Sequence, residues 1–135
     1  MDWKGDPELR RLREGFISSF EAYKLRLTDI HRRLLEGLAG GGDAVSAKSL
    51  TSELQQVTHK ISGSAGSFGF TFISTLSALL EDGLDLPLST RELSSVILPA
   101  SHLLIEALVE AQHGEDPTGL SEDPRFKQIL TFVAG

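Results

Sequence analysis

The 135-residue sequence contains no cysteine, which excludes disulfides and thiolate chemistry. It has no uninterrupted apolar run near the roughly 18 residues of a membrane span, and its charged N-terminal segment lacks the apolar core of a signal peptide. The formal net charge of −6 argues against a protein that holds nucleic acid through phosphate contacts. We therefore expect a cytoplasmic protein that binds neither nucleic acid nor membrane.

Apolar residues do recur at steps of three and four, the period of amphipathic helices. A first helix is predicted from Pro7, after the N-cap Asp6, to about Leu38, with a bend or break at Gly15. Its apolar stripe consists of Leu12, Phe16, Phe20, Tyr23, Leu27, Ile30, Leu34 and Leu38. A glycine-rich link over residues 37–43 separates this helix from the next.

Three further helical segments follow the link. One runs from about Ala44 to Ser67, and the short turn after it predicts an antiparallel neighbour. That neighbour stops within the sequence E-D-G-L-D-L-P over residues 81–87, where Gly83 and Pro87 both mark a helix end. The last begins with a capping-box sequence at Ser89, and Pro99 should kink or divide it. The pattern predicts an all-α fold, an antiparallel up-down-up-down four-helix bundle with short appended N- and C-terminal helices.

The length fits a single domain, with the bundle over about residues 8–113 and a C-terminal tail over residues 114–135. We expect a short amphipathic helix of the tail to dock on the bundle. The apolar residues of this helix are Phe126, Ile129, Leu130 and Phe132. We predict a monomer, because the chain has enough helices to close a bundle by itself.

The segment from Leu50 to Phe70 has the most informative pattern. Its apolar residues fall within roughly 60° of one another on a helix, and they are Leu50, Leu54, Val57, Ile61, Ala65 and Phe68. His59 lies roughly 160° from the centre of that stripe, which exposes its imidazole. The residues that share its face are Ser52, Gln55, Gln56, Ser62, Gly63 and Gly66.

Glycine inside a helix costs about 1 kcal/mol relative to alanine, so Gly63 and Gly66 need an explanation. One explanation is a surface on which another protein comes close to the helix backbone beside His59. The alternative is a fraying helix end with its C-cap, which fits Gly69 better than Gly63.

Motifs of common enzymes are missing from the sequence. No nucleophile elbow and no glycine-rich loop after a strand can be found, and the histidines lack the i, i+4 spacing of a helical zinc site. The remaining chemistry is an exposed imidazole, whose unprotonated nitrogen is a nucleophile near neutral pH. Attack on a phosphoryl group would give a phosphoramidate suited to transfer. A partner would have to supply the positioning and charge neutralisation, so we expect a phosphoryl carrier without enzymatic activity of its own.

The sequence H-K-I-S-G-S-A-G-S-F-G-F, from His59 to Phe70, resembles the signature of histidine-containing phosphotransfer (HPt) domains. That signature has a His, a variable residue, an aliphatic residue, often a Lys, then a Gly, small residues and a further Gly six positions on. The matching residues are His59, Ile61, Gly63, Ser64 and Gly69. The segment from Leu76 to Glu81 resembles the following helix of the family, and the likeness covers roughly residues 16–112.

The resemblance implies that His59 accepts a phosphoryl group from an aspartate of a response-regulator receiver domain and then passes it on or returns it. It also implies that Gly63 lets the receiver come close and that Ser64 helps to fill the tight helix junction. Mg²⁺ would come from the receiver, with no metal or other cofactor bound by this chain. A hybrid histidine kinase is a second expected partner.

One position departs from the family pattern. Ser62 stands where the family often has a Lys that neutralises the phosphoryl oxygens. Lys60 is the obvious substitute, although it lies about 100° round the helix from His59. Gln55 and Gln56, one turn before His59, are candidate hydrogen-bond donors to the phosphoryl group or to the partner.

Two other functions fit the same pattern. The first is an HPt-like interaction module that docks on a receiver domain or histidine kinase and regulates it without being phosphorylated. The second is the dimerisation domain of a histidine kinase, in which two chains form the bundle. That domain precedes an ATP-binding domain, and the sequence has no nucleotide motif.

Overall fold

The computed structural model describes residues 5–40 and 44–135, and only the backbone of residues 44–46. These ranges contain no strand. The helices are α1 (Pro7–Ser18), α2 (Phe20–Ala39), α3 (Ala44–Ala65), α4 (Thr71–Leu84), α5 (Thr90–Ala111) and α6 (Pro124–Ala134). Short 3₁₀ turns occur at Gly66–Phe68 and Thr118–Glu122. The predicted all-α fold is confirmed.

Helices α2 to α5 form the antiparallel four-helix bundle, in which α2 packs on α3 and α5, and α4 packs on the same two helices. Cross-helix contacts show the antiparallel direction of α2 and α5, because Gln112 bonds to Glu21 while the rings of His31 and His102 lie side by side. The fully buried side chains at the centre include Phe20, Leu27, Ile30, Leu54, Ile61, Ile73, Leu76, Leu80, Ile97, Leu103 and Leu104. They are the residues that the 3.6-residue period places on one face of each helix.

Helix α1 starts as predicted, because the Asp6 carboxylate accepts hydrogen bonds from the amides of Glu8 and Leu9 at 2.9 and 3.3 Å. The predicted break at Gly15 is wrong. The helix is interrupted at Ser19 instead, where the side-chain hydroxyl and the backbone amide both donate hydrogen bonds to the Phe16 carbonyl oxygen. Local competition of a serine hydroxyl for backbone carbonyls therefore ends the helix, and glycine does not.

Two predicted apolar stripes are wrong at one residue each. Leu12 is 54% exposed, because α1 packs on the bundle through Phe16 and the buried Arg13. Leu130 of α6 is 46% exposed, while Val133 packs against the core in its place. Of the predicted glycine-rich link, residues 37–39 continue α2 and residues 41–43 lie outside the described ranges.

Helix α5 begins with the predicted capping box, in which Ser89 and Glu92 bond to each other's backbone amides. Pro99 does not divide it. A π-helical turn over Leu93–Ile97 precedes the proline and keeps the helix continuous from Thr90 to Ala111. This helix is long and apolar enough to cross a membrane by composition, but 56% of its most apolar window is buried inside the bundle. Burial in the core accounts for that composition.

Helix α6 docks on α4 and α5, as the tail was expected to do. Its Ile129 is fully buried, and a Cβ at Gly83 would lie 3.3 Å from the Ile129 side chain. Helix α4 ends at Leu84, inside the predicted stop over residues 81–87. The same contact shows that Gly83 also permits close packing of α6.

Candidate functional site

Helix α3 places His59 on the outside of the bundle. The predicted stripe on the opposite side is buried at Leu54, Val57, Ile61 and Ala65. The side chain of His59 is 76% exposed. The period of the helix thus presents the imidazole to solvent while its own backbone is held by the core.

The imidazole is paired with Glu81 of α4. The Nδ1 atom of His59 lies 2.9 Å from Oε1 and 3.1 Å from Oε2 of Glu81. Because an ionised carboxylate only accepts hydrogen bonds, Nδ1 carries the proton and donates it. In the neutral ring the second nitrogen, Nε2, then keeps its lone pair, and the ring is mostly exposed. The arrangement is an oriented nucleophile with an acidic partner.

Hydrogen bonds on either side of His59 fix the distance between α3 and α4. One turn before it, the Gln55 amide donates to the Glu81 carbonyl oxygen at 3.2 Å and to Asp85 Oδ1 at 2.6 Å. After it, Ser74 Oγ donates to the Ser62 carbonyl oxygen at 3.1 Å. Gln55 was predicted to donate to a phosphoryl group or partner, and in the structure both of its amide hydrogens are used inside the chain.

The two glycines near His59 have different surroundings. A Cβ added at Gly63 would meet no atom within 4 Å among the described residues, so packing within that part of the chain does not require glycine there. A Cβ at Gly66 would lie 3.2 Å from Ser74 Oγ, so the close packing of α3 on α4 explains this glycine. Gly69 adopts the left-handed conformation at φ 84°, the C-cap that its position predicts.

The other predicted site residues lie on the same helix with different exposure. Ser52, Gln56 and Lys60 are exposed, and Ser62 and Ser64 are half-buried. Ser52 is two turns from His59, about 10 Å along the helix axis. The structure therefore groups Gln56, Lys60 and Gly63 around His59 and places Ser52 at the edge of the surface.

Sequence reasoning missed Glu81 as a site residue. A signal for it exists in the short turn between α3 and α4. Because the two helices are antiparallel, residues equally far from the turn face each other, which pairs Gln55 with Asp85 and His59 with Glu81. Counting outward from Phe70, at the end of that turn, would have placed a carboxylate opposite the imidazole.

A buried arginine holds the turn at the end of the site. Arg13 donates from Nε to the Phe68 carbonyl oxygen at 3.0 Å and from Nη2 to the Gly114 carbonyl oxygen at 2.6 Å. Its guanidinium lies 4.5 Å from the centre of the Phe70 ring, a cation–π distance. These contacts tie α1, the turn after α3 and the end of α5 to one side chain.

The remaining histidines are not part of this site. His31 is half-buried, its ring centre lies 5.7 Å from that of His102, and His102 Nδ1 is 3.3 Å from Arg125 Nη1. Burial, and then the nearby His102, lowers the pKa of His31. In the described ranges, no group of three or more histidine, aspartate or glutamate side chains is placed to hold a metal ion.

The family model of the Hpt domain matches residues 11–114, far more than half of the chain. The chain belongs to the HPt domain family. No curated protein and no solved structure matches it. The matched range begins inside α1 and ends just after α5, so it contains the whole bundle and leaves out α6.

Membership of the HPt family gives the chain a general role in phosphorelay phosphotransfer. HPt domains typically interact with receiver domains and kinases. The structure of this HPt domain places the carboxylate of Glu81 at Nδ1 of His59, and its sequence has a serine at position 62.

Proposed function

We propose that this HPt domain carries a phosphoryl group on Nε2 of His59, which accepts it from a receiver-domain aspartate and passes it to another receiver or returns it. The observation that carries the proposal is the His59–Glu81 pair at 2.9 Å on an exposed helix face. Glu81 holds the proton on Nδ1, and the free nitrogen points its lone pair away from that bond by the geometry of the ring.

The proposed step is an in-line displacement at phosphorus. The lone pair of Nε2 attacks the phosphoryl group of an aspartyl phosphate, the bond between phosphorus and the carboxyl oxygen breaks, and the carboxylate leaves with the electron pair. The product holds an Nε2–P bond and still carries the proton on Nδ1. Catalysis of such steps is mostly positioning and charge neutralisation, which a convex helix face does not provide.

The partner therefore supplies the rest of the reaction centre. We propose that the receiver brings Mg²⁺ and the acidic pocket, that this chain holds no metal, and that it has no activity without a partner. Gly63, one turn beyond His59, is the proposed contact point, because a Cβ there would meet no atom of the described residues within 4 Å. Lys60 and Gln56 are exposed and lie within a turn of His59, which suits them to neutralise or bond phosphoryl oxygens.

A transfer assay tests this function. A receiver domain is phosphorylated with a labelled small-molecule donor, freed of the donor and mixed with the protein. We expect acid-labile, alkali-stable label to appear on this chain, to be lost in His59→Gln and to persist in His113→Gln. His113 is a matched control because it is an exposed histidine at the end of α5, outside the site.

Two results would end the proposal. Label that survives in His59→Gln would place the phosphoryl group elsewhere. A protein that binds receivers tightly and changes their activity, yet takes no label from any of them, would be an interaction module and not a carrier.

A further inference from the structure

We propose that Glu81 keeps the proton on Nδ1 after His59 is phosphorylated, so that the phosphohistidine of this protein stays in its labile, readily transferred form at neutral and mildly alkaline pH. The inference rests on the proposed function for its biological meaning. It concerns a positioning residue, because Glu81 acts on the phosphoryl group only through the imidazole ring.

The inference depends on the contact between Nδ1 of His59 and the Glu81 carboxylate. Both oxygens of Glu81 lie within hydrogen-bond distance of Nδ1, at 2.9 and 3.1 Å, and the Glu81 side chain is 28% exposed. The neighbouring Glu81 carbonyl oxygen is held by Gln55 of α3. The carboxylate is thus attached to a backbone whose position relative to α3 is fixed, and it does not depend on a freely moving loop.

The charged groups around His59 come from two helices. Helix α4 contributes Glu81 and Asp85, and the Asp85 carboxylate is occupied by the Gln55 amide at 2.6 Å. Helix α3 contributes Lys60, the next residue along. The carboxylate in contact with the ring is therefore that of Glu81, which accepts the hydrogen bond from Nδ1.

The proton on Nδ1 decides how easily the phosphoryl group leaves. When Nε2 takes the phosphoryl group and Nδ1 keeps its proton, the ring is a phosphoimidazolium that bears one positive charge. On transfer or hydrolysis the Nε2–P bond then breaks with its electron pair going to the ring, and a neutral imidazole leaves. If Nδ1 has lost its proton to solvent, the leaving group is an imidazolate anion, which is far poorer.

Glu81 should therefore extend the pH range over which the labile form persists. Free phosphohistidine gains stability as the pH rises and the ring loses its proton. With a carboxylate bonded to that proton, the same change should require a higher pH. The phosphorylated protein is consequently suited to rapid passage of the group and unsuited to storage.

The test measures the lifetime of the phosphohistidine without any receiver. The full chain is phosphorylated with phosphoramidate, the donor is removed, and the loss of the ³¹P signal is followed between about pH 6 and pH 9, a range that spans the titration of an imidazole. The variants are Glu81→Gln, which can still accept a hydrogen bond but has no charge, and Asp82→Asn. Asp82 is an exposed carboxylate on the same helix, and the matched control removes its charge without touching the pair.

We expect the phosphohistidine of Glu81→Gln to live about fivefold longer than that of the wild type near pH 8, an effect of the size of a screened pair of unit charges. The rise of its phosphohistidine lifetime with pH should occur at lower pH than in the wild type. The lifetime of Asp82→Asn should depend on pH as that of the wild type does. Profiles of Glu81→Gln and wild type that coincide would overturn the inference. So would an equal displacement by Asp82→Asn, or the failure of phosphoramidate to label His59.

The inference and the proposed function fail separately. If the lifetime profile depends on Glu81 but no receiver donates to His59, the carrier role is wrong and the proton-holding role stands. If receivers donate to His59 and the profiles coincide, the carrier role stands. Nitrogen NMR of the ring in the unphosphorylated protein gives a second readout, which should show the proton on Nδ1 in the wild type.

Discussion

The glycine at position 63 should cost this protein stability and give it access to its partner. Gly63 lies in the last turn of α3, is exposed, and leaves open space where a Cβ would stand. Gly63→Ala should therefore raise the free energy of unfolding by about 0.5–1 kcal/mol, the difference in helix propensity between the two residues. For a domain of this size the melting temperature should rise by roughly 2–4 °C.

The neighbouring glycine provides the contrast. At Gly66 the new Cβ would press on Ser74 Oγ at 3.2 Å, and that hydroxyl donates to the Ser62 carbonyl oxygen. Gly66→Ala should bring no gain, because displacing Ser74 weakens a bond between α3 and α4. Thermal and denaturant unfolding of both variants, followed by circular dichroism, measures the difference.

The functional half of the prediction uses a larger residue. Gly63→Gln keeps a good helix former at the position and places a side chain one turn beyond His59. We expect transfer from a phosphorylated receiver to fall by at least about tenfold, equivalent to 1.4 kcal/mol, while labelling by the small donor phosphoramidate is unchanged.

Either of two outcomes would refute this reasoning. Destabilisation by Gly63→Ala would mean that the space around position 63 is not open. Transfer to Gly63→Gln at the wild-type rate would mean that the glycine does not serve the approach of a partner.

Three further predictions concern the scaffold. Arg13→Ala should lower the free energy of unfolding by about 2–3 kcal/mol in denaturant titrations. The substitution removes the buried guanidinium that donates hydrogen bonds to the carbonyl oxygens of Phe68 and Gly114. Asp116→Ala should cost about 1 kcal/mol by the same measurement, since its carboxylate accepts from a backbone amide in the first turn of α4. Burial lowers the pKa of His31, so the unfolded chain binds the proton more tightly than the folded one, and the free energy of unfolding should fall as the pH drops below about 6.5. In His31→Gln the free energy of unfolding should depend less on pH in this range, and an unchanged dependence would contradict the prediction.

Much of the fold can be predicted from the sequence because it depends on local period. The stripe around Leu54 and Ile61 is buried where a 3.6-residue repeat places it, and the imidazole of His59 is exposed for the same reason. Caps are equally local, which is why the start of α1 at Asp6 and of α5 at Ser89 follow the expected patterns.

The errors arise where contacts between distant residues decide the outcome. Leu12 belongs to the stripe by its spacing, but α1 is anchored at Arg13 and turns Leu12 to solvent. Gly83 lies in the predicted stop region of α4, but its contact with Ile129, 46 positions later in the chain, has no local signal. The same limit hid Glu81, whose partner is 22 positions away.

The carboxylate of Glu81 and the serine at position 62 are best understood together. The family often has a lysine three residues after the histidine, and its charge neutralises the phosphoryl oxygens. In this chain that position is Ser62, whose carbonyl oxygen accepts a hydrogen bond from Ser74 Oγ of α4. If Glu81 holds the proton on Nδ1 of the phosphorylated ring, the imidazole itself is the cation nearest to the phosphoryl group. A positive ring, held by an acidic neighbour, would then perform part of the neutralisation for which other family members use a lysine.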